Sequence, residues 1–249
     1  MTDIKNNIIK IKQQIELACH NNVQQNKFIQ ESHLINNHKK NSVTLLAVSK
    51  TKPASDIEQA YLVGQRNFGE NYLQEALDKI NQLSHLPDIC WHFIGPIQSN
   101  KTKQIANNFQ WVHSVDRAKI ALRLNEHLTE QQSILAESNH CQDTALNICL
   151  QVNISEEESK SGIMPDEIFS LAAVVNNCDK LVLRGLMAIP AKNAEKASYE
   201  KMQTLFNKLR SQYSTVDTLS IGMSNDLALA IAHGSTMVRI GTAIFGKRV

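Results

Sequence analysis

The chain lacks several features that would assign it to a protein class directly. Its five cysteines are scattered and odd in number, and none are spaced as C-x-x-C, which argues against a disulfide framework and against a zinc site. No apolar run approaches the length of a membrane span, and the N-terminus opens an amphipathic pattern rather than an apolar signal core. We therefore expect a cytoplasmic protein with reduced thiols.

An excess of charge of one sign is also missing. The sequence has 26 Lys plus Arg against 24 Asp plus Glu, so its net charge of +2 provides no strong field for nucleic acid or for an anionic membrane. Neither a G-x-G-x-x-G motif nor a P-loop occurs. Any anion site must therefore be local, and we expect neither a nucleic-acid partner nor a membrane partner.

Short apolar runs that resemble buried strands recur along the chain after an N-terminal segment with helical spacing of isoleucines. Each run is continuous rather than alternating, which is typical of strands covered on both faces. The predicted strands are 44–49, 66–69, 91–94, 111–114, 146–152, 181–187, 218–221 and 237–240.

Helix-compatible segments separate these runs, and such alternation indicates parallel strands with crossover helices. The predicted helices are 54–63, 72–83, 101–109, 117–128, 165–176, 194–211 and 225–233. Eight such units favour a (β/α)8 TIM barrel with an N-terminal helical lead-in over a doubly wound sheet, which usually has fewer strands and a glycine-rich first turn. We expect one domain over residues 1–249.

A lysine, Lys50, stands where the first predicted strand ends. An ammonium group is costly to bury, so a lysine at the end of a core strand is a candidate for chemistry. The alternative is a lysine whose stem packs on the strand while its charge reaches water. This segment alone does not decide between the two.

The loops after the seventh and eighth predicted strands resemble a phosphate cradle, because barrels commonly bind phosphate at these two loops. Gly222 and Gly241 permit close backbone approach, and Ser224 and Thr242 add hydroxyl donors. The alternative is that both glycines form turns and that Ser224 caps a helix. Together with Lys50, the cradle indicates a small phosphorylated ligand whose carbonyl forms a Schiff base, and both pyridoxal phosphate and a sugar-phosphate aldolase substrate qualify.

Six segments resemble the YggS/PROSC family of pyridoxal phosphate homeostasis proteins, and the resemblance covers almost the whole chain. They are LLAVSKTKP (45–53), FGENY (68–72), WHFIGPIQSNK (91–101), RGLM (184–187), LSIGMSND (219–226) and GSTMVRIGTAIFG (234–246). The resemblance implies a barrel like the N-terminal domain of alanine racemase that holds pyridoxal 5'-phosphate as a covalent aldimine.

Specific residues take roles by this resemblance. Lys50 matches the cofactor lysine, and Arg239 matches the arginine that faces the pyridine nitrogen. The phosphate-contacting positions are Ser224, Gly241 and Thr242, and the positions that line the pocket are Asn71, His92 and Met223. The family's additional lysines correspond to Lys52 and Lys160, which we interpret as solvated surface charges.

The resemblance also implies binding without catalytic turnover. A guanidinium only donates hydrogen bonds, so Arg239 would leave the pyridine nitrogen neutral and a poor electron sink. Related racemases need a second acid/base, a tyrosine from an additional domain, which we expect to be absent here because the sequence ends soon after Thr242. We expect a monomer, by analogy, that serves vitamin B6 homeostasis and hands the cofactor to apo-enzymes. The alternative is a weak amino-acid racemase that uses Lys50 and either water or Tyr72.

Overall fold

Eight parallel strands close into a barrel in the computed structural model, which describes residues 2–29, 42–137, 145–157, 160–191 and 195–247. Each strand pairs with the next in sequence, and the last pairs with the first. The strands are β1 (Thr44–Val48), β2 (Asn67–Glu70), β3 (Cys90–Phe93), β4 (Trp111–Val115), β5 (Leu146–Val152), β6 (Leu181–Ala188), β7 (Thr218–Ser220) and β8 (Met237–Ile240).

Helices precede and connect the strands, as the alternating pattern predicts. They are α1 (Ile4–Ile29), α2 (Ala54–Tyr61), α3 (Leu73–Gln82), α4 (Thr102–Asn108), α5 (Ala118–Glu137), α6 (Ile168–Asn176), α7 (Lys196–Gln212), α8 (Leu227–Ala232) and α9 (Thr242–Phe245). The isoleucine face of α1 is buried, and this helix packs against α8 and α9. The barrel and its helical lead-in are therefore confirmed.

The continuous apolar runs form strands because both of their faces are covered. All four residues of β8 and all three residues of β7 are buried, since side chains fill the barrel interior and helices cover its outside. The predicted bounds of β5 and β8 are confirmed, and the other strands differ by one residue at one or both ends. Those ends depend on hydrogen bonds with neighbouring strands, which a single run of sequence does not contain.

Two helices differ more from their predicted bounds. The helix predicted over 117–128 continues as α5 to Glu137, because the segment that follows is rich in good helix formers. The segment predicted to begin at Pro165 opens as a 3-10 turn, Pro165–Glu167, before α6. The additional turns of α5 change nothing at the carboxyl ends of the strands.

Four cysteines, Cys19, Cys90, Cys149 and Cys178, are free thiols, whereas Cys141 lies outside the described residues. Within the described ranges, no helix combines the length and the apolar character that crossing a membrane requires. The extent of the domain, residues 1–249, stays a prediction.

Candidate binding site at the barrel mouth

The barrel brings the ends of distant strands to one mouth, and Lys50 lies there directly after β1, half-buried. Because Ala47 pairs with Ile240, the loop that carries Lys50 is next to the loop that begins with Gly241. A Cβ atom on Gly241 would lie 3.1 Å from the carbonyl oxygen of Val48, closer than most such contacts. A glycine at this position therefore lets the two loops pack together.

A cavity of about 910 Å³ opens beside these loops and is lined in part by Met223, Ser224 and Thr242. All three side chains are exposed, so both hydroxyl groups can reach a ligand. Gly222 precedes them with a φ of +105°, and a Cβ there would lie 2.5 Å from the Cβ of Ala230. The backbone can turn into the cavity at this point only because the residue is glycine.

Two residues that sequence reasoning did not assign shape the same cavity. Asp226 accepts a hydrogen bond from the backbone N–H of Met223 at 2.7 Å and another from the Tyr199 hydroxyl at 2.6 Å. Burial, followed by the hydrogen bond to Asp226, raises the pKa of Tyr199. Both carboxylate oxygens are thus engaged in holding the loop. Tyr199 had no local signal because its partner Asp226 lies 27 residues further along the chain, whereas the spacing of Asp226 from Met223 is typical of a capped turn.

Arg239 lies on β8 beneath the mouth and is only 5% exposed. Its Nη1 donates to the carbonyl oxygen of Ser220 at 2.6 Å and to the Ser220 hydroxyl at 2.8 Å, and its Nη2 donates to the carbonyl oxygen of Ala188 at 2.8 Å. Burial lowers the pKa of Arg239 to about 10, which leaves it charged at neutral pH. Within the described ranges, the guanidinium has neutral hydrogen-bond acceptors and no carboxylate in contact.

A series of hydrogen bonds continues from Arg239 through the barrel interior. The Ser220 hydroxyl is 3.1 Å from Nδ1 of His113, Nε2 of His113 is 2.9 Å from Nδ1 of His92, and Nε2 of His92 is 3.0 Å from Oδ1 of Asn67. We call these five residues the inner chain. Both histidines are completely buried, so His92, predicted to line the pocket, lies below the mouth and is linked to it through Arg239.

A second polar group lies on the outside of the barrel behind the Lys50 loop. Lys79 of α3 donates to the Ser49 carbonyl oxygen at 2.8 Å, to Glu70 at 2.8 Å and to Glu75 at 2.5 Å. The Ser49 hydroxyl donates to Glu70 at 2.6 Å, and the Thr51 N–H donates to Glu75 at 2.5 Å. We call Ser49, Glu70, Glu75 and Lys79 the outer cluster. It holds the residues on both sides of Lys50.

Asn71, the remaining predicted site residue, lines a different cavity of about 290 Å³. Its backbone packs against Gly95, where a Cβ atom would lie 2.0 Å from the Asn71 carbonyl oxygen. Asn153 and Lys160 border the same cavity. The predicted set is thus divided between one large cavity, one small cavity and the barrel interior below them.

The two additional lysines interact with neighbouring residues. Lys160 forms an ion pair with Glu157 at 2.8 Å and donates to the Ser155 hydroxyl at 3.2 Å. Lys52 donates to the carbonyl oxygen of Lys247 at 2.9 Å. Their interpretation as solvated surface charges stays a prediction.

The geometry described so far, a closed parallel barrel with a lysine after β1 and an arginine on β8, defines a class of protein. The family described as "Alanine racemase, N-terminal domain" matches residues 24–249 of the chain. The match covers most of the chain, including all eight strands.

Individual proteins similar to this chain identify a narrower family within this class. A pyridoxal phosphate homeostasis protein of Haemophilus influenzae is 46% identical over 99% of this chain and 96% of its own length. A protein of the same name from Pseudomonas aeruginosa is 53% identical over 83% of this chain and 85% of its own length. The solved structure of PipY from Synechococcus elongatus with PLP bound is 32% identical, with a TM-score of 0.72, and covers 92% of this chain and 100% of that chain. The chain belongs to the family of pyridoxal phosphate homeostasis proteins, as its motifs predict.

Proposed function

We propose that this protein binds pyridoxal 5'-phosphate at the barrel mouth, holds it covalently through Lys50 and serves intracellular vitamin B6 homeostasis without catalytic turnover. The observation that carries the proposal is that Lys50, the loops after β7 and β8, and the buried Arg239 meet at one mouth. The names of the relatives and the PLP-bound PipY structure support the choice of ligand.

The residues present fit the groups of this cofactor. Ser224 and Thr242 offer exposed hydroxyl donors to a phosphate, and Gly222 and Gly241 leave no room for a side chain where the backbone turns. Arg239 offers a buried cation whose protein partners are neutral acceptors. Met223 lines the same cavity, and Asn71 lines the smaller one.

Lys50 would hold the cofactor through its amine, and the cofactor would supply an aldehyde that can condense with an amine to a C=N bond with release of water. The proposed role of Arg239 is to donate a hydrogen bond to the ring nitrogen. Because a guanidinium cannot give up its proton near neutral pH, the ring stays unprotonated and withdraws electrons weakly. This supports a role in holding the cofactor rather than in turnover.

Reductive trapping tests the attachment directly. Purified protein loaded with pyridoxal phosphate should absorb in the visible range, and borohydride should place the reduced cofactor on the peptide that contains Lys50. Lys50→Ala should abolish this adduct, whereas Lys52→Ala, a matched lysine on the same loop, should retain it. An adduct that remains on Lys52 or Lys160 in the Lys50→Ala protein, at the wild-type level, would refute the assignment.

The same preparations distinguish holding from catalysis. Incubation with a panel of L-amino acids should yield no more D-isomer or keto acid than the Lys50→Ala protein yields. Robust turnover that depends on Lys50 would instead establish the racemase alternative. The monomeric state, the cytoplasmic location and the transfer to apo-enzymes belong to this proposal, and mixing the loaded protein with an apo-enzyme and following its recovered activity tests the transfer.

A further inference from the structure

The inner chain crosses the barrel and ends on the buried guanidinium of Arg239 beneath the mouth. Ser220 and His113 belong to β7 and β4, which are not neighbours in the barrel, so the 3.1 Å contact between them spans the interior. His92 then continues to Asn67 at the start of β2. Five side chains thus connect the mouth to the opposite end of the barrel.

The hydrogen bonds of the inner chain can all be donated in the same direction, from Arg239 toward Asn67. Arg239 can only donate, so the Ser220 oxygen accepts from it and the Ser220 hydroxyl hydrogen is available for Nδ1 of His113. His113 then donates from Nε2 to Nδ1 of His92, and His92 donates from Nε2 to the Asn67 amide oxygen, which can only accept. With both histidines neutral, this direction assigns the proton of each ring to Nε2.

Burial supports the neutral state of both rings. Burial lowers the pKa of His92 to about 3, and burial, followed by the electrostatic interaction that a protonated His113 would have with His92 and Arg239, lowers the pKa of His113 well below its ordinary value. Trp111 stacks on the ring of His92 with centroids 5.3 Å apart and planes 15° apart. The rings are thus held in place as well as kept uncharged.

We propose that Asn67, His92, His113 and Ser220 are positioning residues that orient the guanidinium of Arg239 through this one-directional chain. Neutral histidines suit the task, because a protonated ring would donate from both nitrogens and would lose its acceptor toward Ser220 or His113. The consequence for the ring nitrogen of the cofactor rests on the proposed function. Polarisation along such a chain strengthens its individual hydrogen bonds.

The direction of the chain can be tested without any cofactor. In long-range proton–nitrogen NMR spectra of the full chain with labelled histidine, His92 and His113 should show the neutral Nε2–H tautomer at pH 7 and at pH 5.5. His92→Gln and His113→Gln assign the two sets of signals. The Nδ1–H tautomer in either ring, or titration of either ring between these pH values, would overturn the proposal.

Two substitutions of His113 test its effect on Arg239. His113→Leu removes both hydrogen bonds, whereas His113→Gln retains an acceptor and a donor in the required order. His113→Leu should shift the absorbance maximum of bound pyridoxal phosphate and weaken binding about tenfold, as expected for a displaced charged donor, while His113→Gln should stay within about twofold of wild type. Val112→Ala, on the opposite face of β4, should lower stability and leave the absorbance maximum unchanged.

The outcomes separate this proposal from the proposed function. If the wild-type protein forms no adduct at Lys50, the function fails, while the NMR result still decides the direction of the chain. If the wild-type adduct forms and His113→Leu leaves both absorbance and affinity unchanged, the positioning role is refuted. The positioning role is also refuted if His113→Gln changes the absorbance maximum and the affinity as much as His113→Leu does. If His113→Leu does not fold, the spectrum and affinity of His113→Gln, together with the NMR result, decide.

Discussion

The inner chain and the outer cluster are both buried and polar, and each supports one of the two basic residues, Arg239 and Lys50, proposed to hold the cofactor. The outer cluster does so with charge, because the ammonium of Lys79 lies between the carboxylates of Glu70 and Glu75. The inner chain contains a single charge, on Arg239, and otherwise neutral groups. The outer cluster pairs opposite charges, whereas the inner chain orients neutral hydrogen-bonding groups toward the single charge of Arg239.

The difference follows from where the inner chain and the outer cluster lie in the barrel. Lys79 and Glu75 reach Glu70 from α3 on the outside of the barrel, where Glu75 retains contact with solvent. The interior offers no such contact, and a second charge there would lose its hydration entirely. Paired ions therefore suit the support of the Lys50 loop, whereas neutral histidines suit the centre of the barrel.

The largest effect on stability is expected when Lys79, the cation at the centre of the outer cluster, is removed. Lys79→Met leaves Glu70 buried without its ion pair, and one oxygen of Glu70 finds no hydrogen-bond partner among the described residues even in the intact cluster. We expect the free energy of unfolding in urea to fall by about 3 kcal/mol, the usual cost of breaking a buried pair. Adding Glu70→Gln to Lys79→Met should restore part of this loss, and equal stability of Lys79→Met and wild type would contradict the comparison.

Acid should lower the free energy of unfolding through the buried histidines of the inner chain. Because the pKa of His92 is about 3 in the folded protein and 6.5 ordinarily, the unfolded state binds more protons between these values, so stability is lost as the pH falls below 6.5. Between pH 6.5 and 4.5 this linkage amounts to about 2 kcal/mol for one histidine. His92→Gln should remove that slope from the urea unfolding data, whereas His85→Gln, at an exposed site, should preserve it.

The outer cluster should respond to pH in the opposite sense. Burial raises the pKa of Glu70 above 4.5, and the lowering by Lys79 and Ser49 does not cancel this rise. The folded state therefore holds the extra proton, and this contribution to stability is lost as the pH rises above 4.5 toward the raised pKa. A difference between wild type and Glu70→Gln that grows with acid in favour of the variant would contradict this sign.

The smallest effect is expected at Ser224, a residue of the mouth that belongs to neither the inner chain nor the outer cluster. Ser224→Ala removes one exposed hydroxyl donor from the proposed phosphate cradle, so cofactor affinity should fall by about 1 kcal/mol, roughly fivefold, while unfolding without cofactor is unchanged. Equilibrium titration with pyridoxal phosphate measures the change, and Ser170→Ala on α6 is the control. An unchanged affinity would show that the hydroxyl does not contact the phosphate.

Most of the fold could be predicted from local patterns, whereas the site could be predicted only in part. Continuous apolar runs and intervening helical periods predicted all eight strands, because burial on both faces is visible in each run. Lys50, Gly222 and Gly241 could be singled out because they follow strands. Lys79 and Tyr199 gave no such signal, since their importance depends on partners far away in sequence.

By itself, the sequence determined the barrel, its family and the loops that form the mouth, since strand order, buried runs and turn residues are local properties of the chain. The tertiary structure decided which polar residues meet. It placed His92 beneath the mouth rather than in it, divided Asn71 from Ser224, and assembled the inner chain and the outer cluster. The reason is that hydrogen bonds and ion pairs act over about 3 Å, and only the closed barrel brings residues from different strands within that distance.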